Sequence, residues 1–224
     1  MLRPVVRAAG PVLYALRTPG RLEGLASLRV PGSAAWHAMD HHQHVDWWVN
    51  RLGRLTAVVT AIPGLGGALA DRLPVQDALG TATQALLLTA IAEEYGIRDI
   101  GEKVRIVAWV LFGRDIDAAL AAGKGEAYDP AEEDAETAKL AGEFSQVEQR
   151  PRRITLRSAG KTLWRMGRSL LAITDELDKR PHGRFYHRAV GMLPVVGLVG
   201  DYLGERSGLR RARRRADEWF ARAA

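Results

Sequence analysis

Sixteen consecutive residues without a charge, Leu55 to Ala70, surround the segment Ile62-Pro63-Gly64-Leu65-Gly66-Gly67. After Asp71-Arg72 and Pro74 a second apolar run, Ala78 to Ala92, ends in Glu93-Glu94-Tyr95-Gly96. Apolar runs of this length seek a core, and proline removes a backbone donor that a continuous helix needs. Two helical arms folded back at Pro63 satisfy both demands. The loop is not a phosphate cradle by sequence. PGLGG lacks the GK[ST] ending of a P-loop, and no strand precedes it as a dinucleotide-binding GxGxxG would require.

A related pattern returns in Ala189 to Asp201, where Pro194 and Gly197 repeat the spacing of Pro63 and Gly66 and an aspartate again follows (Asp71, Asp201). Two matching spacings are compatible with a weak internal duplication. Between the two, Gly101–Gly113 is apolar on every side after Arg105, which reads as a buried helix, with a strand over Ile106–Phe112 as the alternative. Asp115–Ala122 reads as a short alanine-rich helix. Asp129-Pro130-Ala131-Glu132 is a helix start: Asp129 caps, Pro130 suits the first helical position, and the acids meet the positive helix end. Leu140, Phe144 and Val147 then supply an inner face.

The fold expected is all-α, a multi-helix bundle of about seven to nine helices built around two Pro/Gly-broken apolar helical hairpins. Residues 1–32, with prolines at 4, 11, 19 and 31, are expected as a basic, loosely docked N-terminal arm, and 33–224 as a single helical domain.

Charge is distributed unevenly. The net charge is +6, yet residues 126–148 carry eight acids against one base and residues 149–224 carry 18 bases against seven acids. Such a basic last third suits an anionic membrane surface, an acidic partner or nucleic acid. Cysteine is absent, which removes thiol chemistry and fits a reducing compartment. No continuous apolar secretory core opens the chain, and no window reaches the roughly 18–20 apolar residues of a spanning helix. The location expected is cytoplasmic, peripheral on the inner face of the cell membrane.

Three candidate sites follow. In a helix expected over about 152–178, Leu156, Leu163, Met166, Leu170, Ile173 and Leu177 share an arc of about 100°. Arg150, Arg153, Arg157, Lys161, Arg165 and Arg168 form a stripe opposite, interrupted by Ile154, Trp164 and Leu171. From Ser207 a second basic helix places Leu209, Ala212, Ala216, Trp219, Phe220 and Ala223 on one side, with Arg210, Arg211, Arg214, Arg215 and Arg222 off it. Anionic-surface contacts are therefore expected at Arg153, Arg157, Lys161, Trp164, Arg165, Arg168, Arg211, Arg214, Arg215, Trp219 and Phe220. The same cations suit nucleic-acid phosphate, and either helix is equally able to close the bundle or face solvent. The third candidate is a helix expected over 34–53, capped by Ser33. At 100° per residue it aligns His37, His41 and His44, with Asp40 one turn away. That set is able to hold zinc or iron, as a metal carrier or metal-dependent enzyme, and is equally an amphipathic face of His and Trp between core and water. No catalytic signature is present elsewhere.

The segment TAIPGLGGALADRLPVQDALGTATQALLLTAIAEEYGIRDIGEK resembles the EcsC-like family of bacterial proteins. The resemblance is carried by Pro63-Gly64-Leu65-Gly66-Gly67, Ala70-Asp71, Gln84–Leu88 and Ile91-Ala92-Glu93-Glu94-Tyr95-Gly96, with Leu193-Pro194-Val195-Val196-Gly197 similar to a second Pro-x-x-Gly hairpin. It covers residues 50–115 and 185–220. The His-rich helix and the acidic 126–148 segment are not part of it. It implies an all-helical, membrane-associated or envelope-related bacterial protein, and no reaction.

Overall fold

The computed structural model describes residues 2–17, 31, 33–60, 75–125, 128–146, 155–178 and 197–223. Among them are nine α-helices and no strand: α1 (Leu2–Arg17), α2 (Ala34–His37), α3 (His41–Thr60), α4 (Val75–Glu94), α5 (Ile100–Phe112), α6 (Ala118–Ala121), α7 (Pro130–Ala141), α8 (Leu156–Asp178) and α9 (Gly197–Ala223). A 3-10 turn, Gly142–Gln146, extends α7. The all-α expectation is met. The turns of both expected hairpins, 61–74 and 181–196, lie outside the described residues, as does the duplication drawn between them.

The bundle is organised around α4. Leu86, Leu87, Leu88 and Ile91 are each 0% exposed, so three successive leucines pointing in three directions are all covered. That requires neighbours all round, and α1, α3, α5, α8 and α9 supply them. Each such side chain contributes about 1.5–3 kcal/mol by leaving water. Two contacts fix how α4 meets its partners. Thr83 Oγ1 lies 2.8 Å from Thr56 Oγ1 of α3, and each hydroxyl sits within reach of a carbonyl one turn back on its own helix, so a buried polar pair is satisfied. On the other side Gly167 of α8 lies so close to Ala78 that a Cβ at 167 would overlap the Ala78 carbonyl.

Within the N-terminal arm expected over 1–32, Leu2–Arg17 are not loosely docked: they form a helix whose Val5, Val6, Ala8, Ala9, Val12 and Leu13 are buried, while 18–30 of that arm lie outside the described residues. Pro4 falls in the first turn, where no intrahelical N–H is lost, and only Pro11 interrupts the ladder. Charge fixes the docking. Glu133 of α7, itself buried, receives Arg3 Nε at 2.7 Å and Arg7 Nη1 at 2.8 Å, and Arg7 also meets Asp134 at 2.7 Å. Burial raises the Glu133 carboxyl, but the hydrogen bonds from Arg3 and Arg7 outweigh it and hold the group below the usual carboxylate range. The acidic helix therefore docks on the N-terminal helix. Among the described residues no ion pair joins it to the basic last third.

Local signals elsewhere behave as the sequence suggests. Asp129 caps α7 through the N–H groups of Ala131 and Glu132, with Pro130 at the first turn. Asp99 caps α5 by accepting from Glu102 N at 2.9 Å, and Gly113 (φ 63°) closes it, so Ile106–Phe112 is helix rather than strand.

Candidate functional site

The helix 34–53 expected from the histidine spacing is in fact two. Ser33 does cap the start, accepting from Trp36 N at 3.1 Å, but α2 stops at His37. Asp40 then caps α3: its Oδ1 accepts from Gln43 N at 2.8 Å, while Gln43 Oε1 accepts from Asp40 N at 3.1 Å. This reciprocal box outcompetes helical continuity and throws His37 off the face of His41 and His44. His37 is exposed. His41 packs edge-on against Tyr95, ring centroids 4.0 Å apart, and burial, followed by the nearby His42, pushes its imidazole below the usual value. His44 stacks on Trp36 at 4.1 Å. Among the described residues no group of three His, Asp or Glu side chains is placed to hold a metal ion, so the zinc or iron site expected at His37, Asp40, His41 and His44 is not assembled.

His44 belongs instead to a polar cluster at the end of α4. Its Nδ1 lies 3.1 Å from Glu94 Oε2 and its Nε2 3.0 Å from the Trp36 carbonyl. Both neighbours are acceptors, so both contacts are hydrogen bonds only when the ring carries two protons. Trp48 Nε1 donates to Glu94 Oε1 at 3.0 Å. Glu93 meets Arg17 of α1 at 2.8 Å and the buried Lys103 of α5 at 2.9 Å. The cluster thus ties α1, α3 and α5 to α4. Sequence reasoning missed it; the available signal was two adjacent glutamates closing a mostly apolar run, Ala85–Ala92, which must sit at the rim of the core.

The basic helices divide. α8 starts at a box in which Ser158 N donates to Thr155 Oγ1 (3.1 Å) and Thr155 N to Ser158 Oγ (3.2 Å). Its core face is Ala159, Leu163, Met166 and Leu170, all buried. Helical geometry then turns Arg157, Lys161 and Arg168 away from the core, while Trp164, at the edge of that outer side, packs partly against it. Arg157, Lys161 and Arg168 are exposed, and Trp164 is half-buried with the Arg168 guanidinium 5.9 Å from its ring centroid. None of these three cations meets a carboxylate among the described residues, and no acid occurs between residues 156 and 172.

Arg165 departs from that stripe. Its Nη2 donates to Thr162 Oγ1 at 2.9 Å, and it lies over Gly142 so closely that any side chain there would overlap the guanidinium. Gly142 also has φ 57°, where glycine alone is unstrained. Arg153 lies outside the described residues.

In α9, Leu209, Ala212 and Ala216 are buried against α3, α4 and α5, so the helix closes the bundle. Phe220 stacks on Tyr95 at 3.8 Å, and Trp219 tilts against Trp109 of α5 at 5.7 Å. Arg215 donates to the Val110 carbonyl at 2.8 Å and, with Arg222, covers the Trp109 ring. Arg213 is paired with Asp46 of α3. Of the surface contacts expected on this helix, Arg211, Arg214 and Arg215 are exposed, Arg215 being also bonded to the Val110 carbonyl, while Trp219 and Phe220 are half-buried against Trp109 and Tyr95.

Among the described residues no helix is long and apolar enough to cross a membrane. No protein-family model, curated protein or solved structure matches this chain.

Proposed function

We propose that the protein is a non-enzymatic, EcsC-like peripheral component of the cytoplasmic membrane face, seated on anionic lipid through the outer side of α8. The observation that supports this is the row Arg157, Lys161 and Arg168, exposed and without carboxylate partners among the described residues, beside the half-buried Trp164. Cations above and an indole at the headgroup level are the features by which an amphipathic helix lies on a charged bilayer. Arg211 and Arg214 of α9 add to the positive field that would steer the protein to such a surface.

Co-sedimentation with phosphatidylcholine vesicles, with and without phosphatidylglycerol, tests it. The protein is expected to pellet with the anionic vesicles alone, and less as salt shortens a Debye length that is about 10 Å at 0.1 M. Absence of pelleting with anionic vesicles at low salt removes the proposal. Retention of random duplex DNA without any vesicle binding would instead direct the same cations to nucleic-acid phosphate.

A further inference from the structure

A second feature lies on the core side of α8, away from Arg157, Lys161 and Arg168. Where α1, α3 and the start of α8 converge they leave an open cleft of about 340 Å³. Its floor is apolar: Val12 and Leu16 of α1, Leu55 of α3, Phe144 of the 3-10 turn and Leu163 of α8. Among the described residues its only charged lining is Arg51 and Arg54, one turn apart on α3. Both are exposed. Arg51 has its guanidinium 5.7 Å from the Trp47 ring centroid, and Arg54 Nε reaches the carbonyl of Asn50 in its own helix, at 3.4 Å.

Arg51 and Arg54 share with Arg157, Arg168, Arg211 and Arg214 the lack of a carboxylate partner among the described residues, but of these six only they line the apolar cleft. Arg3, Arg7, Arg17, Arg105 and Arg213 each meet a carboxylate, whereas neither Arg51 nor Arg54 does so among the described residues. An apolar trough with two uncompensated guanidinium groups at its mouth is complementary to a molecule that is apolar along its length and anionic at one end. Guanidinium forks match carboxylate geometry. The volume stands near the lower end of the 300–1,000 Å³ or so typical of small-ligand clefts, which favours one hydrocarbon chain over two.

We infer that the cleft binds a single long-chain fatty acid, its chain along Val12, Leu16, Leu55, Phe144 and Leu163 and its carboxylate at Arg51 and Arg54. The inference does not rest on the α8 membrane seat, because it uses different side chains and a monomeric ligand.

Calorimetric titration of the full chain with hexadecanoate, below its micellar concentration and with no vesicles present, decides it. Saturable binding at one site per chain is expected. Hexadecanol, which keeps the chain and lacks the charge, is expected to bind about tenfold or more weakly, the scale of a lost charge-assisted hydrogen bond. The doubly substituted Arg51→Gln/Arg54→Gln protein should bind hexadecanoate as weakly as the wild type binds the alcohol. Both positions are exposed, so its thermal unfolding should match wild type, and a cooperative transition verifies that the variant is folded. No saturable binding to the wild type, as would follow if a segment of the chain itself fills the cleft, overturns the inference. So does equal affinity for acid and alcohol, or undiminished affinity in the folded double variant. Failure of vesicle binding leaves this titration unaffected, and the reverse also holds.

Discussion

α8 and α9 carry the same kind of sequence and meet different fates. Each is a basic amphipathic helix with tryptophan among its arginines, and helical periodicity suits both equally to an anionic surface or to closing the bundle. In the folded chain α9 turns its aromatic end inward, because α5 offers it Trp109 and the free carbonyl of Val110, and the end of α4 leads into Tyr95. Among the described residues nothing comparable stands opposite the outer side of α8, and Arg157, Lys161 and Arg168 meet no carboxylate there. What a cationic helix does is settled by the groups its neighbours present, and those are non-local.

Reversing charge on α8 is the strongest way to break this comparison. The Arg157→Glu/Lys161→Glu/Arg168→Glu protein should lose at least about 3 kcal/mol of affinity for anionic vesicles, taking about 1 kcal/mol per cation near the surface. Its melting temperature should remain close to wild type, because these side chains make no packing contact with the core. Undiminished pelleting would show that the two helices do not differ in the manner described. The opposite profile is expected for Trp219→Ala on α9. It should cost about 2 kcal/mol in urea unfolding, below the 3–5 kcal/mol of a fully buried tryptophan, and leave vesicle affinity little changed. Gly142→Ala comes next: forcing a side chain into positive φ and against Arg165 should destabilise by about 1–2 kcal/mol.

The smallest effect expected is one of pH. His41 supports Tyr95, on which Phe220 of α9 stacks, with His42, His44, Glu94 and Asp217 as the charged or titratable groups around it. Burial lowers its folded value, so the unfolded chain takes up a proton first as the pH falls through 6.5. Stability from this group is present above that value and lost below it. Glu133, also held low, gives a second loss as the pH falls below the ordinary carboxylate value of 4.5. His41→Phe should flatten the first loss in unfolding curves collected across that range, leaving the second.

The elements written in a few neighbouring residues were legible beforehand. Ser33, Asp129 and Pro130 act where their spacing put them, and Leu163, Met166 and Leu170 face the core as their periodicity required. The histidine face was misread because periodicity presumes a continuous helix, and the Asp40–Gln43 box breaks it. The N-terminal helix was misread because its prolines were weighed without its partner. Arg3 and Arg7 find Glu133 across 130 and 126 residues of chain, a pairing that no local spacing encodes. Arg51 and Arg54 are unremarkable on a helical wheel and gain meaning only beside residues from α1 and α8.

That α4 has no side for water over Ala85–Ala92 bears on how the chain is made. During synthesis it leaves the ribosome with α1 and α3 already available, while α5, α8 and α9 have yet to be translated. Until they arrive, its leucines have only part of their eventual cover, and the nascent chain carries a sticky, unfinished interior. Assembly is therefore expected to finish in one late, all-or-none step, and truncations that stop short of α9 should aggregate instead of folding as smaller bundles.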